Sequence, residues 1–340
     1  GSAFKIVTAT AALEEGVVSL TDGFSCPGFK RVEDRIIRCH KVGGHGSQTF
    51  VDGIKNSCNP VFMEIGARVG VEKTYEYYKK LGLFNKTGID LPGEANSIMH
   101  KIENIGAVEL ATMSFGQSFQ ITPLQLLVAA SAVVNGGNLV TPHFGVEIKA
   151  RDGRTVKTLQ YEPTTGAVTK ETSDIMKELL EAVVSDGTGK RAYLPGFRVG
   201  GKTATSEKLP RRTGKYISSF IGFAPANDPQ VIAIVLIDEP VGIYYGGTIA
   251  APVIAELFDN ILPYMGIEAR YTESEKEVYN IGTITVPNFV GKTKAEVKDL
   301  LKIYDFGDLY PLGEGEVVIE QFPLPGEIVK KKSDLILYYN

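Results

Sequence analysis

Ser2 and Lys5, three residues apart in "GSAFK", could together perform acyl transfer. A serine hydroxyl is a weak nucleophile until a base takes its proton. On a helix, positions i and i+3 share a face, so the lysine amine can approach the serine oxygen. A serine at a helix start also meets the positive end of the dipole, which favours developing oxyanion charge. An N-cap serine beside a surface lysine would leave the same letters. Further on, "SCN" holds Ser57, Cys58 and Asn59, and "GGKTATSE" holds Lys202, Thr203 and Thr205. The latter run has a second reading, since Gly196, Gly201, Lys202 and Thr203 fit G-x-x-x-x-G-K-[ST], whose amides cradle phosphates. That loop needs a helix after it, to supply aligned N–H donors. Here the chain runs instead to Pro210 and "RRTGKY", poor helix material.

Cys26, Cys39, His40, His45 and Cys58 form a second group, with Cys58 inside the S-x-N run. Thiolates and imidazoles are a zinc ligand set, although the paired C-x-x-C spacing is absent. Cys26, Cys39, His45 and Cys58 are the expected ligands of a structural zinc, with His40 in reserve. A disulfide between two of the three cysteines is open too, outside the cytoplasm. So is a bland reading, in which Cys58 is a small buried hydrophobe and "GGHG" a turn. Three cysteines are an odd number, so at least one stays outside any internal pair. His100 and His143 read as surface or loop residues. Neither G-x-S-x-G nor H-E-x-x-H occurs, which removes support for a histidine-based hydrolase or a zincin.

The elements that must position these groups are helical first and β-rich later. "FKIVTATAALEEG" reads as a helix stopped by Gly16, and residues 20–50 read as a long loop or excursion. Residues 59–82 read as a helix in two pieces. Residues 121–137 read as a buried helix with Thr122 as cap and Pro123 in the first turn, and 170–187 as an amphipathic one. "YISSFIGFAPAN" and "QVIAIVLIDEP" then read as an antiparallel strand pair, closed by a helix over 251–266. Residues 267–283 are polar and read as a linker, and 284–340 suit a small α+β module. The expected domains are therefore 1–266, a linker at 267–283, and 284–340, in an α/β or α+β arrangement with an antiparallel sheet.

The chain's 340 residues, 43% hydrophobic and 22% charged, suit a folded globular protein. A net charge of −4, with no basic run interleaved with aromatics, gives no nucleic-acid surface. "KKK" at 330–332 reads as a solvated turn. No window approaches the ~18 apolar residues needed to cross a bilayer, and no signal peptide opens the chain. Because the sequence begins inside a functional motif, an upstream portion is expected.

S-x-x-K, S-x-N and a K-T run in this order form a specific set, known from penicillin-binding proteins and class A β-lactamases. The chain resembles the transpeptidase domain of a class B penicillin-binding protein. The likeness rests on "GSAFK", "NSCNPVF", "SFGQSFQITPLQLLVAASAVVNGG", "SDGTGKRA" before the third motif, and "FIGFAPANDPQ" after it. The C-terminal "VPNFVGKTKAEVKDLL…GEIVKKKSDLILYYN" resembles a single PASTA module, which suggests the sporulation-type members. The resemblance implies an α+β transpeptidase fold with an antiparallel sheet flanked by helices. It implies Ser2 as nucleophile on a peptidoglycan stem peptide, Lys5 as base, Ser57 as proton relay and Asn59 as the group orienting Lys5. Lys202, Thr203 and Thr205 would meet the terminal carboxylate, and the amides of Ser2 and Thr205 would form the oxyanion hole. No cofactor is required for catalysis. β-Lactams would trap the same serine, and a membrane glycan polymerase is the expected protein partner. The resemblance also implies the outer face of a bacterial cell membrane, with an N-terminal anchor outside this chain. Where the family has glycine, this third motif has Ala204; on a strand its methyl would share the face of Lys202 and project toward the cleft. A D,D-carboxypeptidase, a β-lactamase, a non-catalytic β-lactam sensor and a purely structural role are the rival readings.

Overall fold

The computed structural model describes residues 1–210, 213–278 and 282–340. They fall into two compact units, Gly1–Glu268 and Ala269–Asn340.

The first unit is organised around α1 (Lys5–Glu14), entered through a 3-10 turn at Ser2–Phe4. Every residue of α1 from Lys5 to Ala12 is buried, so this helix has no polar face to show water and can only be a core element. Its hydroxyls are satisfied internally: Thr8 donates to the Ser114 carbonyl at 2.8 Å and Thr10 to that of Ile6 at 2.8 Å. After α1 the chain makes β1 (Gly23–Cys26), β2 (Phe29–Val32), β3 (Arg35–Arg38) and β4 (Gly46–Thr49). β1 pairs with β4 and β2 with β3, all antiparallel, so the expected loop over 20–50 is two nested ribbons. They were invisible to periodicity because β2 and β3 are largely solvated and carry little apolar alternation.

Helices α2 (Phe50–Lys55), α3 (Asn59–Val69) and α4 (Val71–Lys80) follow, then α5 (Ala107–Met113) and α6 (Pro123–Val134). The sequence reading of α3 and α4 as two pieces holds, with Gly70 at φ +80° between them. Thr122 caps α6 through a reciprocal box with Gln125. An exposed ribbon, β5 (Glu147–Lys149) and β6 (Thr155–Thr158), leads to α7 (Lys170–Asp186).

The sheet is built from β7 (Gly200–Glu207), β8 (Tyr216–Ala224) and β9 (Val231–Asp238), antiparallel in the order β7-β8-β9. The short α8 (Gly246–Ile249) and α9 (Ala251–Tyr264) close the unit. Side chains alternate along β8: Phe220 and Ala224 join a core with Ile254, Phe258 and Leu262 of α9, while Ile221 and Phe223 join the core around α1. Helices therefore cover both faces, which explains why residues 220–224 of β8 and 231–237 of β9 read as apolar runs. The Gly196–Thr203 run ends on β7, and among the described residues the next element is β8, not a helix to receive a phosphate.

The second unit holds α10 (Glu273–Val278), β10 (Thr283–Thr285), α11 (Lys294–Leu300), β11 (Leu309–Leu312), β12 (Val318–Phe322), β13 (Ile328–Lys330) and β14 (Leu335–Tyr339). Strand β14 lies between β11 and β12, parallel to the first and antiparallel to the second. Its core includes Phe289, Val297, Leu335 and Leu337. Buried Gln321 accepts from the Phe289 amide at 2.6 Å and donates to the carbonyls of Pro287 and Pro323, so its amide is satisfied.

Candidate active site

Lys5 and Ser57 come from different elements and meet in the core. Lys5, 1% exposed at the head of α1, donates to the Ser57 carbonyl at 2.6 Å, to Asn59 Oδ1 at 2.7 Å and to Ser57 Oγ at 3.1 Å. Ser57 lies in the tight turn between α2 and α3 with φ +52°, a left-handed conformation uncommon for serine. In that conformation its hydroxyl and carbonyl both reach the same amine. Asn59 opens α3 on the other side of Cys58, one turn from the fully buried Phe62. The turn is thus fixed by packing at both ends; burial of a phenylalanine is worth about 1.5–3 kcal/mol.

Lys202 reaches the same serine from the sheet. Its Nζ donates to Ser57 Oγ at 2.8 Å and to the Thr203 carbonyl at 3.3 Å, and the residue is 1% exposed. The two lysine nitrogens share one oxygen, so they stand less than about 6 Å apart, where like charges oppose each other. Burial pushes the Lys5 amine from its ordinary value down to about 7, partly opposed by the neighbouring sulfurs of Cys58 and Cys39. Burial, then the charge of Lys5, holds Lys202 well below the usual lysine range. Burial and mutual repulsion both disfavour a second ammonium charge in this pocket.

Ser2 lines a cleft of about 640 Å³ together with Ser57, Asn59, Thr203 and Thr205. Strand β7 is an edge of its sheet, so alternate amides face out of the ladder toward this cleft. Gly1 and Gly116 let the turn carrying Ser2 lie against its neighbours. A methyl on Gly116, at φ +83°, would stand 2.2 Å from the Gly1 carbonyl oxygen, and one on Gly1 would stand 2.2 Å from Ser206 Oγ. Thr203 and Thr188 share a hydrogen bond at 3.0 Å, and Thr205 Oγ1 accepts from the Gly246 amide at 3.1 Å. Ala204 is 4% exposed and lines both the cleft and a neighbouring cavity of about 730 Å³.

The cysteine–histidine group converges as well. Donor atoms of Cys26, Cys39, His45 and Cys58 all lie within 4.8 Å of one another, and the three cysteines are unpaired and buried. Tetrahedral zinc at its usual bond lengths asks for donors about 3.8 Å apart, so a small contraction would suffice. The thiols already act as a unit: a hydrogen bond from Cys58 pushes Cys39 down, and the same partnership pushes Cys58 up. Three thiols and one imidazole fit a zinc ion. Gly44, at φ +82°, lets the ribbon close over them, since a methyl there would meet the Cys26 carbonyl oxygen at 2.1 Å. His40 points elsewhere in part, lining the cleft while its Nδ1 stands 3.9 Å from Cys39 Sγ.

All the candidate residues of the acyl-transfer reading therefore lie in or under one cleft, and the four candidate metal ligands lie together beside it. Sequence reasoning passed over the cleft's aromatic wall. Tyr216 stacks on Tyr244 at 4.1 Å with planes 8° apart, and Tyr244 meets Tyr245 at 4.6 Å. The doublet "YYGG", aromatics followed by glycines that allow close backbone approach, was the available signal.

Residues 1–259 match the penicillin binding protein transpeptidase domain, and residues 284–340 match the PASTA domain. The chain is 42% identical to stage V sporulation protein D of Bacillus subtilis (strain 168), over 99% of this chain and 53% of that protein. It is 31% identical to the probable peptidoglycan D,D-transpeptidase PenA of Neisseria flavescens, over 85% of this chain and 68% of that one. Penicillin binding protein 3 of Mycobacterium tuberculosis, complexed with ampicillin, matches with a TM-score of 0.74 at 27% identity, covering 80% of this chain and 63% of that chain. The transpeptidase domain of Burkholderia pseudomallei penicillin-binding protein 3 gives 0.71 at 28% identity, covering 80% and 81%. The chain spans about half the length of several curated relatives it matches. The expected α+β fold, with an antiparallel sheet between helices and a small PASTA module, is borne out.

Proposed function

Because this chain belongs to the penicillin-binding protein transpeptidases, we propose that it is a serine D,D-transpeptidase cross-linking peptidoglycan stem peptides. The observation that carries this reading is the convergence of Lys5 and Lys202 on Ser57 Oγ beneath the cleft that Ser2 lines. Lys5, neutral, takes the proton of Ser2 as its oxygen attacks the carbonyl between the two terminal D-alanines. The tetrahedral oxyanion is held by the amides of Ser2 and Thr205, an arrangement commonly worth about 3–4 kcal/mol. Ser57 passes a proton to the departing amine as the C–N bond breaks, leaving an acyl ester on Ser2. The amine of a neighbouring strand then attacks the ester, the C–O bond breaks, and Ser2 recovers its proton. Asn59 orients Lys5 and bonds the substrate amide, while Thr203 and Thr205 present hydroxyls to the terminal carboxylate.

β-Lactams are expected to acylate Ser2 by the first of these steps. Intact mass after incubation with a penicillin tests it: one adduct on the wild type and none on Ser2→Ala is expected. An adduct on Ser2→Ala, or none on the wild type, overturns the assignment. In this reading residues 1–266 form the transpeptidase domain, 267–283 a linker and 284–340 the PASTA domain. The enzyme works at the outer face of the cell membrane, tethered by a segment outside this chain and paired with a glycan polymerase. Its use in sporulation is suggested by the likeness to the Bacillus protein.

None of these steps uses a cofactor. Cys26, Cys39, His45 and Cys58 would hold a structural zinc, whose role is to tie the β1–β4 ribbon to the turn bearing Ser57 and Asn59. Metal analysis of protein purified without chelator should give about one zinc per chain; less than half an equivalent ends this part of the reading.

A further inference from the structure

The motif residues supply a nucleophile, a base and hydroxyls, yet a terminal carboxylate also calls for a lasting positive charge. Lys202 is poorly placed to give it. Its Nζ is buried and engaged with Ser57 Oγ and the Thr203 carbonyl, and it shares its pocket with Lys5. The hydroxyls are better placed. Thr205 Oγ1 accepts from the Gly246 amide, which leaves its own proton to donate.

We propose that Arg191 reads the terminal carboxylate of the acyl donor, pairing with it from the open side of the cleft beside Thr203 and Thr205. This rests on the transpeptidase reading above. Two separate tethers put Arg191 there. It follows three residues after Thr188, whose hydroxyl bonds Thr203. Its Nη1 also donates to the Thr248 carbonyl at 3.4 Å, in the helix whose first amide bonds Thr205. The intervening Gly247 lies so close that a methyl there would stand 3.1 Å from Thr203 Cγ2. Arg191 itself is exposed, on a 3-10 turn anchored by the fully buried Ala192.

Among the described residues no carboxylate forms an ion pair with Arg191, whereas the adjacent Lys190 is paired with Asp186 at 3.4 Å. The one acidic side chain among the described cleft-lining residues, Glu207, sits four positions beyond Thr203, at the other end of β7. A guanidinium stays charged at every working pH and presents five donors in a planar fork. One donor spent on Thr248 leaves the others for an incoming anion, and a bidentate pair fixes orientation as well as charge.

The test compares acylation rates of wild type, Arg191→Gln and Arg191→Lys with benzylpenicillin and with its methyl ester, which lacks the charge. Arg191→Gln should lose roughly ten- to a hundredfold with the free acid, the range for a hydrogen bond to a charged group. It should stay within about twofold with the ester, which also reports that the variant is folded, and Arg191→Lys should recover part of the loss. An equal loss on both probes, or none on either, overturns the proposal. If instead the wild type gains no adduct on Ser2, the transpeptidase reading itself falls, and this inference with it.

Discussion

Lys5 can act as a base only while it holds a lone pair, so the pH dependence of acylation tests the site directly. In water a lysine with its ordinary value of 10.5 would be neutral in about one molecule in three thousand at pH 7. Burial brings Lys5 down to about 7, where half the molecules are neutral. That gain is about a thousandfold in usable base. The geometry suits the neutral form: two N–H groups serve the Ser57 carbonyl and Asn59 Oδ1, the two shortest contacts, and the lone pair is left for a hydroxyl proton. The second-order rate of acylation by a penicillin should therefore climb about tenfold per pH unit below 6, bend near 7 and level off above 8. Stability should follow the same group. The unfolded chain keeps the Lys5 proton up to its ordinary value while the folded one gives it up near 7, so stability rises with pH between those two values. Below about 7 the folded state bears the whole penalty, on the order of 5 kcal/mol. Stopped-flow acylation from pH 5 to 10 and denaturant melts over the same range supply both curves. A flat rate profile, or a bend above pH 9, refutes the assignment of Lys5 as base. A stability slope unchanged in Lys5→Met refutes the burial argument behind it.

Ala204→Gly should speed acylation by a bulky cephalosporin, because Ala204 is a lining residue of the cleft. It should also destabilise by about 1–2 kcal/mol, from one buried methyl and a freer backbone. An unchanged acylation rate would defeat the steric idea. Stripping metal with a chelator should lower the thermal midpoint by several degrees, and added zinc, but not magnesium or calcium, should restore it. The test is a melt with and without chelator, and an identical midpoint in both argues against a structural ion.

The sequence disclosed most where one local rule settles an element. The Thr122–Gln125 box and Pro123 announce α6, and a buried helix with no polar face is written plainly in "KIVTATAA". The apolar runs of β8 and β9 announced a strand pair, though not that helices cover both faces. What could not be read was anything set by contact across the fold. The ribbons over 23–49 pair through backbone groups with few apolar anchors, so no periodicity marks them. Arg191 sits inside "GTGKRA" as an ordinary surface cation, and its place beside Thr203 exists only once α8 lies against β7.

Cys58 shows why that limit matters for chemistry. In sequence it is only the middle letter of S-x-N. In the fold it is where two constellations join, since its neighbours Ser57 and Asn59 hold Lys5 and its own thiol meets Cys39. Any change in the thiol cluster must therefore be felt by a turn that already sits at an uncommon backbone angle. Such coupling runs through one residue and two peptide bonds, which is why the ribbon and the catalytic turn are best regarded as one mechanical unit.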